Sequence, residues 1–85
     1  MKVVYSPQFL RSFKKLSKDI QENFRLKESI FKNDPFDSRL QTHKLKGRDD
    51  WSFLITYKIR TIFIFQNNEI IFVNIGDHSI YRNRK

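Results

Sequence analysis

The stretch WSFLITYKIRTIFIFQNNEIIFVNIG, residues 51–76, decides the fold because it is rich in β-branched and aromatic residues, which favour β-strands. A single strand over residues 51–66 would be about 50 Å long, too long for a domain of this size. The run must therefore fold back, and the polar break at residues 56–58 is the best place for a turn. Gln66-Asn67-Asn68-Glu69 is a clearer turn. We predict three consecutive antiparallel strands, the last over residues 69–76.

The N-terminal half predicts one strand and two helices. KVVY (2–5) is a short β-branched run. Ser6 is a good N-cap, and Pro7 suits the first helical turn, where its missing N–H costs nothing. A helix face with spacings of four, three and four follows, formed by Phe9, Phe13, Leu16 and Ile20. Pro35 ends the helical region. Residues 7–33 therefore predict two helices, an antiparallel pair, with one bent helix as the alternative.

Together these elements predict one α+β domain over residues 1–85, with the order β-α-α-β-β-β. Both helices are expected on one face of a twisted antiparallel sheet, because the strand at 51–55 places Trp, Phe and Ile on one side and Ser and Leu on the other. Trp51 and Phe53 are expected in the core. Residues 34–50 predict a loop with a short extended piece around residues 42–47.

The charge balance narrows the kind of partner. The chain has 17 Lys and Arg against 9 Asp and Glu, a formal charge of +8, with the excess in residues 1–33 and again in residues 51–85. This balance suits a polyanionic partner, either a nucleic acid or an acidic protein, although a charge of this size also serves solubility alone.

The composition also disfavours several classes of protein. There is no cysteine, hence no disulfide framework and no thiolate nucleophile, which favours a reducing cytoplasm. The sequence has no run of about 18 apolar residues, which a membrane-spanning helix would need. The start MKVVYSPQF lacks the features of a signal peptide. Two scattered histidines without cysteine argue against a structural zinc site. We expect no metal and no cofactor.

Three stretches carry a resemblance to a known family. They are THKLKG (42–47), WSFLIT followed by IRTIFIF (51–65), and NIGDHSIYR (74–82). In this order, and over the whole chain, they resemble the RelE/ParE superfamily of bacterial type II toxins, and within it the RelE/YafQ-like mRNA interferase branch. The resemblance implies a toxin that is neutralised by a small antitoxin.

The resemblance also implies an activity. The expected function is that of a metal-independent endoribonuclease, which cleaves mRNA on the ribosome by attack of the 2′-hydroxyl on the phosphate. The expected partners are an acidic antitoxin, mRNA with the ribosome, and operator DNA only through the antitoxin complex; no membrane is expected. Two alternatives stay open: a ParE-like inhibitor of DNA gyrase without catalysis, and a degenerate module that only binds antitoxin and operator DNA.

RNA cleavage without a metal needs a base for the 2′-hydroxyl, cations for the phosphate and an acid for the leaving oxygen. His78 is the first catalytic candidate, because a histidine can titrate near neutral pH and Gly76 lets a loop aim it across the sheet. Arg60 is the second, since a guanidinium at a strand end can grip phosphate with two hydrogen bonds. In the resemblance, His78 matches a catalytic position at the end of the last strand, and Arg60 matches the family's strand arginine.

The remaining candidates are weaker matches. His43 matches a catalytic position in the YafQ-like branch, and three neighbouring cations could hold RNA, namely Lys44, Lys46 and Arg48. Tyr81 is a further catalytic candidate, which is expected to stack on a base or orient the phosphate, and Arg82 is expected to contact phosphate. Two positions that are catalytic His and Asp in that branch are Leu54 and Lys58 here. A complete site would therefore rest on His43, Arg60 and His78.

Overall fold

The computed structural model describes residues 2–81. The elements follow in the order β1 (Lys2–Tyr5), α1 (Pro7–Lys14), α2 (Lys18–Asn33), β2 (His43–Lys44), β3 (Trp51–Leu54), β4 (Arg60–Gln66) and β5 (Glu69–Gly76). Short 3₁₀ turns lie at Ser38–Leu40 and at His78–Tyr81, and the second is called the C-terminal turn below. No helix within the described range is long and apolar enough to cross a membrane.

The strands form one sheet in the order β1-β5-β4-β3-β2. The pairs β3–β4 and β4–β5 are antiparallel, which confirms the predicted meander, and β2 adds a short antiparallel strand where an extended piece was expected. β1 pairs with β5 in the parallel direction, so the sheet is mixed where the sequence predicted an antiparallel one. The reason is that β1 and β5 are not joined by a tight turn, which is the connection that imposes antiparallel pairing.

Two separate helices form, and the alternative of one bent helix is excluded. The Ser6 Oγ accepts a hydrogen bond from Phe9 N at 3.0 Å and caps α1. The Ser17 Oγ accepts from Ile20 N at 3.3 Å and caps α2. Gln21 Nε2 on α2 donates to the carbonyls of Phe13 and Leu16, so it joins the first turns of α2 to the end of α1.

Both helices cover the same face of the sheet through aromatic side chains. The ring of Phe31 on α2 is fully buried and lies 4.5 Å from that of Phe53 and 5.0 Å from that of Phe63, between centroids. Phe9 on α1 lies 5.6 Å from Phe72 on β5. Phe53 is fully buried and Trp51 is half-buried against the same cluster, so both lie in or against the core as predicted.

Candidate functional site

A cleft of about 230 Å³ opens at the end of the sheet where β4 begins and β5 ends. Its lining side chains are Tyr57, Lys58, Arg60, Asp77 and His78. The strand register explains why they meet: Arg60, the first residue of β4, pairs with Gly76, the last of β5, and His78 follows two residues later. Two of the residues predicted as catalytic, Arg60 and His78, therefore line one cleft.

The turn between β3 and β4 forms one wall of this cleft. Thr56 Oγ1 accepts hydrogen bonds from Lys58 N at 3.2 Å and Ile59 N at 3.1 Å. The amides of Ile55 and Thr56 both donate to the carbonyl of Ile59. The threonine hydroxyl thus closes a turn that contains no glycine or asparagine. The Tyr57 side chain at its tip is left 82% exposed.

The C-terminal turn forms the opposite wall. Asp77 Oδ1 accepts from Ser79 Oγ at 2.6 Å and from Ser79 N at 2.9 Å, and Ile80 N donates to the Asp77 carbonyl. The hydrogen bonds from Ser79 hold the pKa of Asp77 below its ordinary value, with smaller contributions from the charges of His78 and Lys58. The Asp77 carboxylate therefore stabilises the turn that presents His78, whose side chain is exposed.

Arg60 lies between these walls, in the same cleft as the Asp77 carboxylate but not paired with it. Within residues 2–81, its guanidinium takes part in no ion pair. Its buried Nε also has no hydrogen-bond partner in this range. A half-buried guanidinium without an ion pair favours binding of an anion, and a phosphate group matches the geometry of its N–H donors.

The HKLKG loop lies apart from the cleft. His43 pairs with Ser52, which pairs with Ile62 on β4. His43 is therefore two strands across and two residues along from Arg60, about 12 Å between their Cα atoms at ordinary sheet spacings. His43, Lys44 and Lys46 are all exposed, and His43 Nδ1 lies 3.2 Å from the Gln41 carbonyl oxygen. His43 does not line the cleft that holds Arg60 and His78.

Arg48 and Tyr81 lie against each other, and neither lines the cleft. Arg48 donates from Nε and Nη2 to the two carboxylate oxygens of Asp50, at 2.9 and 2.8 Å. Its guanidinium carbon lies 5.9 Å from the centroid of the Tyr81 ring. The Tyr81 hydroxyl is buried and has no hydrogen-bond partner in the described part of the chain. Arg82, expected to contact phosphate, lies outside the described residues.

Three residues line the cleft although the sequence did not indicate them as site residues, namely Tyr57, Lys58 and Asp77. A signal was nevertheless present, because the β3–β4 turn and the end of β5 must meet at the same end of an antiparallel meander. Among residues 2–81, no group of three or more His, Cys, Asp or Glu side chains is arranged to hold a metal ion. The described cleft thus offers two cations, one imidazole, one carboxylate and one exposed aromatic ring.

Solved structures of bacterial and archaeal toxins share this architecture. YafQ from E. coli strain BL21(DE3) is similar with a TM-score of 0.77 at 15% identity, over 94% of this chain and 96% of that one. A YoeB/ParE toxin from Agrobacterium tumefaciens has a TM-score of 0.77 at 19% identity, over 92% and 99%. A RelB-RelE antitoxin-toxin complex from Methanococcus jannaschii has a TM-score of 0.77 at 18% identity, over 96% and 99%.

No protein-family profile and no curated protein sequence matches the chain. The likeness therefore rests on three-dimensional structure at low sequence identity, and what it establishes is the fold. It confirms the predicted α+β architecture with its helical pair on one face of the sheet. The chain has the fold of these YafQ, YoeB/ParE and RelE toxin structures.

Proposed function

We propose that this protein is the toxin of a type II toxin-antitoxin system and acts as a metal-independent endoribonuclease on mRNA. The observation that supports this most is the meeting of His78, Arg60 and Lys58 around one open cleft. The toxin fold supports it independently, since the similar structures are described as toxins and one was solved with its antitoxin.

In the proposed chemistry, the two cations bind the phosphate that is cleaved. Arg60 binds two phosphate oxygens through its planar fork, and Lys58 adds a point charge as negative charge builds up on the phosphorane. His78 donates a proton to the leaving 5′-oxygen. The described cleft contains no second imidazole, so the 2′-hydroxyl proton passes to water. Arg60 and Lys58 therefore provide most of the transition-state stabilisation, and His78 provides one proton transfer.

The Tyr57 ring is proposed to hold a base of the substrate. It is 82% exposed, and it borders the same cleft as the two cations. Stacking on an aromatic ring is worth about 1–3 kcal/mol per base and tolerates any base. A single-stranded segment would then lie with one base on Tyr57 and its phosphate between Lys58 and Arg60.

The proposed function implies particular partners and a particular place of action. The expected neutralising partner is an acidic antitoxin, because the chain carries a charge of +8. The proposed place of action is the bacterial cytoplasm, on mRNA at the ribosome. Operator DNA would be contacted only through the antitoxin complex.

The deciding experiment is expression of the wild-type chain and the His78→Ala variant, scored for growth arrest and for cleavage of mRNA. Loss of His78 should lower cleavage by about 10²- to 10⁴-fold, the usual contribution of a general acid. The His43→Ala variant should lose much less, since His43 lies about 12 Å from Arg60. Unfolding of each purified variant is followed by circular dichroism, because only a folded variant tests the site. A folded His78→Ala variant with undiminished cleavage would refute the nuclease proposal.

A second candidate, inhibition of DNA gyrase without catalysis, is favoured by one observation. The described cleft has a single imidazole, and His43, the other histidine that the sequence offered for catalysis, lies on β2 and does not line the cleft. A binding protein would need neither group. Supercoiling by purified gyrase, measured with and without the wild-type chain, separates the two candidates. Inhibited supercoiling together with intact mRNA would favour this function over the first.

A further inference from the structure

Arg48 connects the loop between β2 and β3 to the C-terminal turn. Its guanidinium makes two hydrogen bonds to the Asp50 carboxylate, and its Nη1 lies 3.5 Å from the Tyr81 carbonyl oxygen. The same guanidinium lies over the Tyr81 ring. These contacts join parts of the chain that are 33 residues apart in the sequence. One side chain therefore holds the end of the C-terminal turn against the loop.

In the loop between β2 and β3, side-chain and backbone hydrogen bonds hold the Arg48–Asp50 pair. The Asp50 side chain is only 2% exposed, and its backbone carbonyl accepts from Leu45 N at 2.9 Å. Arg48 N donates to the Leu45 carbonyl, and Gly47 between them has a φ of 71°, in the region that favours glycine. A buried carboxylate bound at both oxygens strongly opposes loss of its guanidinium partner. Arg48 is therefore not available to swing onto an RNA phosphate.

The other end of the C-terminal turn is anchored by close packing. A Cβ on Gly76 would lie 2.7 Å from Ile80 Cγ2, closer than such atoms approach, so the turn folds directly back over the end of β5. The Ile80 side chain is buried at 7% exposure. His78 thus lies on a short turn held on one side by Gly76 and Ile80 and on the other by Tyr81 and Arg48.

We propose that Arg48 and Tyr81 are positioning residues that hold the imidazole of His78 at the cleft, and that neither contacts RNA. This rests on the proposed endoribonuclease function. It assigns new roles to Arg48, expected from the sequence to bind RNA, and to Tyr81, expected to be catalytic. Arg48 is half-buried and bound to Asp50, and the Tyr81 hydroxyl is buried away from solvent.

Steady-state cleavage of a short RNA by the purified full-length chain tests the proposal. The variants are Arg48→Lys, which keeps the charge but loses the fork, and the double variant Arg48→Met/Asp50→Asn, which removes the guanidinium and the Asp50 charge together. Both should lower kcat by about 10- to 100-fold through misplacement of His78. KM and the salt dependence of RNA affinity should stay unchanged. An increase in KM with unchanged kcat would overturn the proposal, because it would mean that Arg48 binds RNA.

Lys46→Ala is the matched control from the same loop. Lys46 is exposed, and if it contacts a phosphate its loss should raise KM and reduce the salt slope of RNA binding by about 1. The contrast between an effect on KM at position 46 and on kcat at position 48 is the expected result. Identical effects of Lys46→Ala and Arg48→Lys on KM and the salt slope would also overturn the positioning role.

Amide hydrogen exchange tests the connection without any cleavage. If the wild-type chain cleaves no RNA, the endoribonuclease proposal fails, but the anchoring of the turn can still be measured. In the Arg48→Lys variant, the Ile80 amide, which donates to the Asp77 carbonyl, should exchange about tenfold faster. Amides at the centre of β4 and β5 should not change and serve as the internal reference. Unchanged exchange at Ile80 would overturn the anchoring role of Arg48.

Discussion

Arg60 combines a fixed position with a free charge. Backbone pairing to both Leu54 and Gly76 holds its Cα, while its guanidinium takes part in no ion pair among residues 2–81. By contrast, Arg39 pairs with the Asp37 carboxylate and Arg25 lies over the Phe13 ring. The arrangement at Arg60 leaves the charge for a ligand from outside the chain.

We predict that Arg60→Ala raises the free energy of the transition state for RNA cleavage by roughly 2–4 kcal/mol, by analogy with other donors that stabilise a transition-state oxyanion. This change lowers kcat/KM by about 30- to 900-fold. Arg60→Lys should recover only part of this, because an ammonium group cannot reproduce two parallel hydrogen bonds. Arg39→Lys, in an exposed pair with Asp37 on a distant loop, is the control and should cleave RNA like the wild type. Full activity of Arg60→Lys would show that only charge is needed.

Tyr57 carries the second prediction at the scale of single residues. Within the described range its ring stacks on no other aromatic ring, so its removal should leave stability unchanged. Tyr57→Ala should weaken binding of a non-cleavable 2′-deoxy oligonucleotide by about 1–3 kcal/mol, or about 5- to 150-fold. Tyr57→Phe should bind like the wild type because it keeps the ring.

The control for Tyr57 is Leu26→Ala, which removes another exposed apolar side chain, 67% exposed, from α2. Fluorescence anisotropy of a labelled oligonucleotide measures both affinities. Equal affinities for Tyr57→Ala and the wild type would contradict the stacking role, and equal losses in Tyr57→Ala and Leu26→Ala would show that the effect is not local to the cleft.

At the scale of elements, a polar contact joins β1 to α2. The Tyr5 hydroxyl donates to the Glu28 carboxylate. Burial, followed by this hydrogen bond, raises the pKa of Tyr5 from 10.0 to about 12. A folded-state pKa above the unfolded value means that the contact contributes its full stability below pH 10 and loses it as the pH rises from 10 to about 12.

We therefore predict that the free energy of unfolding of the wild type falls more steeply between pH 10 and about 12 than that of Tyr5→Phe. Tyr5→Phe keeps the ring contacts to Phe9 and Phe72 and lacks only the ionisable hydroxyl. Urea unfolding at several pH values measures both curves. The same pH dependence in the two proteins would contradict the raised pKa.

Elements were predictable where local chemistry decides them. The cap at Ser6 with Pro7, the stop before Pro35 and the turn at Asn67-Asn68, where both residues have positive φ, are all written in adjacent residues. The parallel pairing of β1 was not predictable, because partners at the two ends of a chain leave no local pattern. The contact of Arg48 with Tyr81 was not predictable for the same reason, although the sequence indicated both residues as site candidates.

The residues of the site were likewise predictable only where local chemistry or strand order decides their position. Arg60 and His78 could be placed near each other from the sequence because Arg60 begins one strand of the meander and His78 follows the end of the next. His43 could not be placed, since its distance from them depends on which strand β2 joins and in which register. Tyr57 and Lys58 were recognised as a turn, but only the exposure and the shared cleft make them candidates for binding.

At the scale of the whole molecule, charge and apolar surface have separate uses. The charge of +8 is spread over both ends of the chain. Several large apolar side chains are exposed, among them Leu10, Leu26, Phe36 and Phe65. Phe36 and Phe65 stack at 6.5 Å and both contact the half-buried Trp51, so they form a continuous aromatic patch. A partner that covers such a patch gains affinity from it, whereas charge acts over longer distances.

The proposed acidic antitoxin should therefore show a rate of association that depends strongly on salt. Raising the ionic strength from about 0.1 M to about 1 M shortens the screening length from about 10 Å to about 3 Å, which removes long-range attraction to a chain of charge +8. The association rate should fall by about tenfold or more, while the dissociation rate, set by the apolar contacts, should change little.

Stopped-flow fluorescence of Trp51, the single tryptophan of the chain, measures both rates, provided that the antitoxin has no tryptophan. The double variant Lys14→Gln/Lys15→Gln lowers the charge to +6 without removing an apolar contact from the core, since both side chains are exposed. It should associate more slowly than the wild type at low salt and equally fast at high salt. An association rate that salt does not change would contradict electrostatic steering, and a strongly salt-dependent dissociation rate would mean that ion pairs, rather than the apolar contacts, hold the complex together.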